Sequence, residues 1–175
     1  MIVVSDTSPI TNLAAVNQLT LLHQLYGTII IPQAVYEEMA SLGYAVPGTI
    51  EIMTLSWIET RPVTQQNQVN QLLNKLDRGE SEGIILALEL GADILILDER
   101  KGRKVARSLG LNITGILGVL LEAKQKELIM NIKPIVDQLI SKAEFGSSLP
   151  FMLNQQTRCQ DNILLTQKFR KFLKP

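Results

Sequence analysis

A helix that leads into a buried strand is encoded in DRGESEGIILALELGADILILD, residues 77–98. Asp77 suits the position that caps the helix, and Glu80 follows three residues later, which is the capping-box pattern. Gly91 predicts the end of this helix, because glycine readily adopts the left-handed conformation found after helices. The next run, Ile94–Leu97, is apolar at every position, as in a central strand of a parallel sheet that is covered on both faces.

Outwards from this segment, strands and helices alternate along the chain. The other predicted strands are Ile2–Val4, Thr28–Ile31, Ile50–Ile58, with room for a bulge where its alternation changes phase, and Leu111–Ile113. The other predicted helices run from near Pro9 to Gly27, from Pro32, from Val69 to Leu76 after a polar loop over 61–70, from Val105 to Leu109, from Ile116 to Ile129 and from Ile132 to Ile140. This alternation predicts an α/β fold with a mainly parallel sheet.

The composition of the 175 residues is that of a folded domain, with 46% hydrophobic and 19% charged residues, which excludes a disordered chain. A single cysteine, Cys159, excludes an internal disulfide and a cysteine-based zinc site, and a single histidine, His23, excludes a two-histidine metalloprotease helix. No apolar run approaches the roughly 18 residues that a membrane-spanning helix needs, and the first residues lack the basic start of a signal peptide. We therefore expect a cytoplasmic protein with no membrane partner.

Charge is balanced overall but uneven along the chain. The 17 basic and 17 acidic side chains give a net charge of zero, which argues against a general nucleic-acid coat. Residues 100–107 nevertheless contain five basic side chains and no acid, and a second basic stretch covers 158–174. The first stretch is either a surface for RNA phosphates or a solvated helix face, and the sequence leaves both interpretations open.

Four carboxylates are predicted to gather at one edge of the sheet. Asp6 and Asp98 each follow a buried strand, and ligands of open parallel sheets bind beyond the carboxyl ends of the strands. Glu38 borders the apolar stripe of the helix after the second strand, and Glu80 lies in the first turn of the helix before the Asp98 strand. Two carboxylates ~4 Å apart repel by about 4 kcal/mol, so such a set must take up protons or bind a cation. Oxygen ligands suit Mg²⁺ or Mn²⁺, which serve phosphodiester hydrolysis.

Four short motifs occur in order along the chain: DTSPI at 6–10, IPQAVYEEM at 31–39, LDRGESEGI at 76–84 and LILDERKGR at 95–103. Together they resemble the PIN domain, and more narrowly the VapC-like PIN proteins of bacteria and archaea. The resemblance implies a three-layer α/β/α fold around a mainly parallel sheet and a Mg²⁺- or Mn²⁺-dependent endoribonuclease. It further implies the toxin of a toxin–antitoxin pair, with an RNA substrate, a cognate antitoxin protein and a homodimer.

The resemblance also implies roles for particular residues. The catalytic and metal-binding acids are Asp6, Glu38, Glu80 and Asp98, with Glu82 as the alternative third acid and Glu99 as an assistant to Asp98. Ser8 and Asn12 match supporting positions near the metal, and Arg100 and Arg103 are the candidates for RNA binding. The nuclease domain is predicted over residues 1–145, and residues 146–175 form a C-terminal tail with a helical pattern.

Plainer interpretations of the same residues stay open. Asp6 could be a turn residue or a helix cap, and Glu80 could serve solely as the capping-box partner of Asp77. The alternative function is a catalytically weak PIN-like module that binds a protein or RNA partner. A receiver-like phosphoacceptor would need an acidic pair after the first strand, where the chain offers Asp6 alone.

Overall fold

A computed structural model describes residues 1–41 and 46–142. The strands in these ranges are β1 (Val3–Ser5), β2 (Ile29–Pro32), β3 (Ile58–Arg61), β4 (Ile94–Ile96) and β5 (Ile113–Thr114). The helices are α1 (Thr7–Ala15), α2 (Thr20–Tyr26), α3 (Gln33–Ser41), α4 (Thr49–Thr54), α5 (Gln66–Leu72), α6 (Arg78–Leu90), α7 (Arg100–Ser108), α8 (Ile116–Gln125) and α9 (Lys133–Lys142). The predicted tail over 146–175 lies outside the described residues.

The strands form one sheet in the order β3-β2-β1-β4-β5, and every neighbouring pair is parallel. The predicted α/β class with a parallel sheet is therefore confirmed. The order places β1 beside β4, and the backbone N–H of Asp6 donates to the carbonyl of Ile96 at 3.1 Å, which extends their ladder past β1. Asp6 and Asp98 consequently leave the sheet from adjacent strands at the same edge.

Helix α6 is fixed by burial against the sheet. Its Ile84 and Ile85 pack in one apolar cluster with Val4 of β1, Ile30 of β2 and Leu95 of β4. Each large apolar side chain that is fully buried contributes about 1.5–3 kcal/mol relative to exposure. Burial along the body of α6 thus determines where its N-terminus lies.

The capping box predicted for α6 is confirmed in both directions. The N–H of Glu80 donates to Asp77 Oδ1 at 2.8 Å, and the N–H of Asp77 donates to Glu80 Oε2 at 3.4 Å. Gly91 ends the helix in the left-handed conformation, with φ 57°. Both ends of α6 follow from local sequence, because caps depend on residues within one turn.

The strand predicted over residues 50–58 is wrong in its first half, which forms the helix α4. The buried positions of α4 are Thr49 and Ile52, which have helical spacing, whereas Ile50 and Met53 are 53% and 51% exposed. Apolar residues on both faces of so short a segment imitate a buried strand, because such a run fits either periodicity. The strand β3 begins later, at Ile58.

Other boundaries also differ from expectation. The helix predicted from Pro9 to Gly27 is divided into α1 and α2 by a turn in which Asn17 has φ 56°, a left-handed conformation that asparagine tolerates. Pro32 is the last residue of β2 and not the first of a helix, since a strand end needs no N–H at that position. The helix α5 begins inside the predicted polar loop.

The contacts within the chain define two compact units, Met1–Val119 and a second that begins at Leu120. The first unit contains the whole sheet and the helices from α1 to α7. The second contains α9, in which Val136 and Leu139 are buried, on the apolar face predicted over 132–140. Across 1–41 and 46–142, no helix has the length and apolar character to cross a membrane.

Candidate active site

Asp6 connects β1 to α1 and is 4% exposed. It occupies the N-cap position of α1, but its side chain makes no capping hydrogen bond. Burial raises the pKa of Asp6 to about 8, and the charges of Asp77, Glu80 and Glu38 act in the same direction, whereas the backbone N–H of Thr7 lowers it. Near neutral pH this carboxyl group therefore retains a proton unless a cation lies beside it.

Glu38 reaches the same place from α3. Its Oε2 accepts a hydrogen bond from Thr7 Oγ1 at 2.8 Å. A methyl group added to Gly79 would lie 3.3 Å from Asp6 Oδ1 and 3.5 Å from Glu38 Oε2. The N-terminus of α6 thus lies against both carboxylates, and the structure brings these two predicted acids together.

Glu80 projects from the first turn of α6 towards α7 and is 4% exposed. Its Oε1 is buried and has no hydrogen-bond partner among the described residues. A Cβ on Gly102 would lie 2.5 Å from this oxygen and 2.9 Å from Leu97 Cδ2. Burial raises the pKa of Glu80 to about 7, and Asp77 and Glu99 add to this, although the backbone of Gly102 lies near enough to lower it.

Asp98 follows β4 and is held by a different set of groups. Its Oδ1 accepts a hydrogen bond from the N–H of Ile116 at 3.0 Å, whereas its buried Oδ2 has no partner within the described ranges. Burial raises the pKa of Asp98 to about 6, and the Ile116 N–H and the Arg103 guanidinium oppose this shift. Arg103 also donates from Nη1 to the carbonyl of Leu97 at 2.7 Å, so this predicted RNA contact points into the protein.

The predicted convergence of four carboxylates is only partly visible. Glu38, Glu80 and Asp77 all lie close enough to Asp6 to raise its pKa. In the observed arrangement, however, no three Asp, Glu, His or Cys side chains of residues 1–41 and 46–142 are placed to hold one metal ion. The carboxylates around Asp6 at the edge of the sheet therefore repel one another, and Asp98 is held separately by other groups.

The two alternative acids occupy contrasting positions. Glu82 is 3% exposed, and both of its oxygens are engaged: Oε2 accepts from the N–H of Ala34, and Oε1 accepts from Arg78 Nε, each at 3.0 Å. Glu99 is exposed at the N-cap of α7 and makes no side-chain capping bond. Between the candidates for the third acid, Glu80 has the oxygen that lacks a partner and Glu82 does not.

The remaining predicted residues lie on α1 and at the start of α7. Ser8 and Asn12 are half-buried and one turn apart on α1, and Arg100 is exposed in the first turn of α7. Thr7, which holds Glu38, was not predicted, and Asp77 was predicted solely as a cap although its charge acts on Asp6 and Glu80. The position of Asp77, three residues before Glu80, could have indicated that its charge acts on the site. No local sequence pattern predicts the role of Thr7.

The family model of DUF3368, described as a PIN domain, matches residues 2–150. The chain belongs to the DUF3368 family of PIN domains. PIN domains are generally nucleases and typically depend on a metal ion. A search of curated proteins gave no match to this PIN domain.

A solved structure supports the fold of this PIN domain. It is a PilT N-terminus domain protein from the hyperthermophilic archaeon Sulfolobus solfataricus P2, with a TM-score of 0.54 and 20% sequence identity. The similarity covers 70% of this chain and 93% of the archaeal chain. The α/β/α arrangement that the motifs implied is thereby confirmed as the fold.

Proposed function

We propose that this PIN domain hydrolyses RNA phosphodiesters with Mg²⁺ or Mn²⁺ held by Asp6, Glu38, Glu80 and Asp98. The observation that carries the proposal is a pair of buried carboxylate oxygens, Glu80 Oε1 and Asp98 Oδ2, without a hydrogen-bond partner in the described ranges. A buried polar atom left unpaired costs about 1–3 kcal/mol, and a charged one costs more. A ligand that partners these oxygens would remove that cost.

The donor set fits a hard divalent cation. Its ligands are carboxylate oxygens, which Mg²⁺ and Mn²⁺ prefer. The pKa values of Asp6, Glu80 and Asp98 are all raised, so a nearby cation would stabilise their ionised forms. When bound, the ion would acidify an attacking water and stabilise the leaving oxygen.

The chain's own groups keep these acids in place. Thr7 Oγ1 holds Glu38, the N–H of Asp77 holds Glu80, and the N–H of Ile116 holds Asp98. Hydrogen-bond donors of this kind favour ionised carboxylates and fix their orientation. The reaction needs such fixed orientation, since misplacement of a reacting group by about 1 Å can cost 100-fold in rate.

Other residues are proposed to serve the substrate. Ser8 positions a water or a ligand, and Asn12, one turn later on α1, supports it. Arg100, exposed at the start of α7, contacts RNA phosphates, whereas Arg103 faces inward and steadies Asp98. RNA backbone contacts of this kind would make binding weaken as salt increases.

The VapC-like motifs support a narrower biological role. We propose that the protein is the toxin of a toxin–antitoxin pair in the cytoplasm, that it forms a homodimer, and that a cognate antitoxin protein inhibits it. The nuclease domain is proposed to cover residues 1–145, with 146–175 as a tail. The second candidate, a catalytically weak module that binds a protein or RNA partner, is favoured by one observation: no three ligands in 1–41 and 46–142 are ready for one ion.

Cleavage of RNA by the purified protein tests the proposal. With Mn²⁺ or Mg²⁺ we expect products with 5′-phosphate and 3′-hydroxyl ends, no products in excess EDTA, and recovery when the metal is restored. Cleavage that persists in EDTA would contradict metal dependence. If no RNA is cleaved and the metal does not raise the melting temperature, the binding module becomes the better assignment.

A further inference from the structure

A series of charged contacts connects α3 with α6, the two helices that carry Glu38 and Glu80. Glu82 of α6 accepts a hydrogen bond from the N–H of Ala34, in the first turn of α3, at 3.0 Å. Its other oxygen accepts from Arg78 Nε at 3.0 Å, and Arg78 Nη1 donates to Glu37 Oε2 at 2.8 Å. The contacts thus return to α3 one residue before Glu38. We call Ala34, Glu37, Arg78 and Glu82 the α3–α6 clamp.

A cavity of about 450 Å³ lies beside the clamp, between α3 and the N-terminus of α6. Three of the four clamp residues line it, all except Glu82, together with Glu38, Asp77 and Gly79. Side chains that do not fill a space cannot fix the helices around it by packing. Here the clamp's polar contacts cross between the two helices, so they add to the burial of Val35 and Met39 in fixing how α3 is oriented.

We propose that the clamp is a positioning device for the metal-dependent reaction, an inference that rests on the proposed function. Its two attachments on α3, at Ala34 and Glu37, lie about one helical turn apart. Two attachments fix the rotation of α3 about its axis as well as its distance from α6. That rotation decides whether Glu38 stays beside Asp6 at Gly79.

The clamp has one part that can be altered without threatening the fold. The side chains of Arg78 and Glu37 are 59% and 47% exposed, and an ion pair so exposed contributes little to stability. Glu82 is buried, and its loss would leave the Ala34 N–H without its partner. Glu37→Ala removes the acceptor of Arg78, whereas Glu37→Gln keeps an oxygen in its place.

The test compares Glu37→Ala, Glu37→Gln and Arg78→Ala with Lys133→Ala. Lys133 forms an exposed ion pair with Asp137 on α9, with side chains 59% and 55% exposed, and so is the matched control. The quantities to be measured are the Mn²⁺ affinity, by calorimetry, and the steady-state kinetics of RNA cleavage. Both Ala variants of the clamp should lose about 10-fold in Mn²⁺ affinity and in kcat, as is typical for partners that orient metal ligands, with KM unchanged. Glu37→Gln should restore most of both.

Three other results have distinct meanings. Unchanged Mn²⁺ affinity and kcat in Glu37→Ala would overturn the proposal. A raised KM for RNA with unchanged Mn²⁺ affinity in Arg78→Ala would also overturn it, because Arg78 would then be an RNA contact. A wild-type protein that neither binds Mn²⁺ nor cleaves RNA would refute the proposed function instead. Amide hydrogen exchange at Ala34 then tests whether the clamp holds α3 in place. Faster exchange in the Glu37→Ala and Arg78→Ala variants than in Lys133→Ala supports the clamp, and equal exchange overturns it.

Discussion

Asp6→Asn is expected to lower metal-dependent RNA cleavage by more than about 100-fold while making the metal-free protein more stable at pH 8. The loss of activity follows if Asp6 binds the ion, because groups that merely orient metal ligands already account for about 10- to 100-fold. The gain in stability follows from burial: Asp6 is 4% exposed, beside Asp77, Glu80 and Glu38. Asparagine keeps the shape of the side chain without the charge.

The pH dependence of this gain has a definite sign. Burial raises the pKa of Asp6 from 3.8 to about 8, so the folded protein binds this proton more tightly than the unfolded chain does. The free energy of unfolding of the wild type therefore falls as pH rises between about 4 and 8. The asparagine side chain of the variant does not titrate, so the advantage of the variant grows over that range, to an order of a few kcal/mol, and then stays constant.

Urea unfolding in EDTA at pH 5, 7 and 9 measures this advantage. Asp137→Asn is the control, because it removes an exposed carboxylate of α9 and should change neither cleavage nor the pH profile. The wild type should regain stability with Mn²⁺, whereas Asp6→Asn should not respond. If Asp6→Asn is less stable than the wild type at every pH, Asp6 is a structural residue. That result would contradict the inference that it lies among mutually repelling carboxylates.

Local pattern explains why some elements near Asp6 were predictable. The apolar runs of β1 and β4 and the capping box of α6 each depend on residues that are close together in the sequence. Parallel strands must be joined by crossovers, so the alternation with helices also determined the class of sheet. The placement of Asp6 and Asp98 at one edge follows from these features together.

Contacts between distant residues explain what was missed. The hydrogen bond between Thr7 and Glu38 joins residues 31 positions apart, and the one between Ala34 and Glu82 joins residues 48 positions apart. No local sequence pattern predicts either bond. The position of α4 has a similar cause, because a helix of six residues is too short to be stable by itself and is fixed by its surroundings. Sequence reasoning thus located the acids on their elements but could not give the side-chain arrangement among them.

Gly102→Ala is expected to reduce cleavage by about 100-fold, as a misplacement of about 1 Å can do. A Cβ at this position would lie 2.5 Å from Glu80 Oε1 and 2.9 Å from Leu97 Cδ2. Neither neighbour can yield freely, since Glu80 is held by Asp77 and Leu97 is 1% exposed. Either the carboxylate turns away from the candidate metal position or α7 shifts, and overpacking of this kind costs about 1–3 kcal/mol.

Gly83→Ala is the matched control for this substitution. Gly83 lies within α6, three residues after Glu80, and a Cβ there would meet nothing within 4 Å. Alanine in a helix interior is favoured over glycine by up to about 1 kcal/mol, so this variant should be as stable as the wild type or more stable, with full activity. Cleavage rates and urea unfolding of both variants, measured well below their melting temperatures, separate a displaced carboxylate from a loss of folded protein.

The outcome at Gly102 bears on why α7 approaches α6 so closely. Gly102 lies in the first turn of α7, next to Glu80. Its backbone lowers the pKa of Glu80 against the effect of burial, which favours the ionised form that a metal ligand needs. Glycine is required for that approach, so normal activity in Gly102→Ala would show that Glu80 does not act from this position. A selective loss of activity and Mn²⁺ affinity, with folding intact, would assign Glu80 as the third acid.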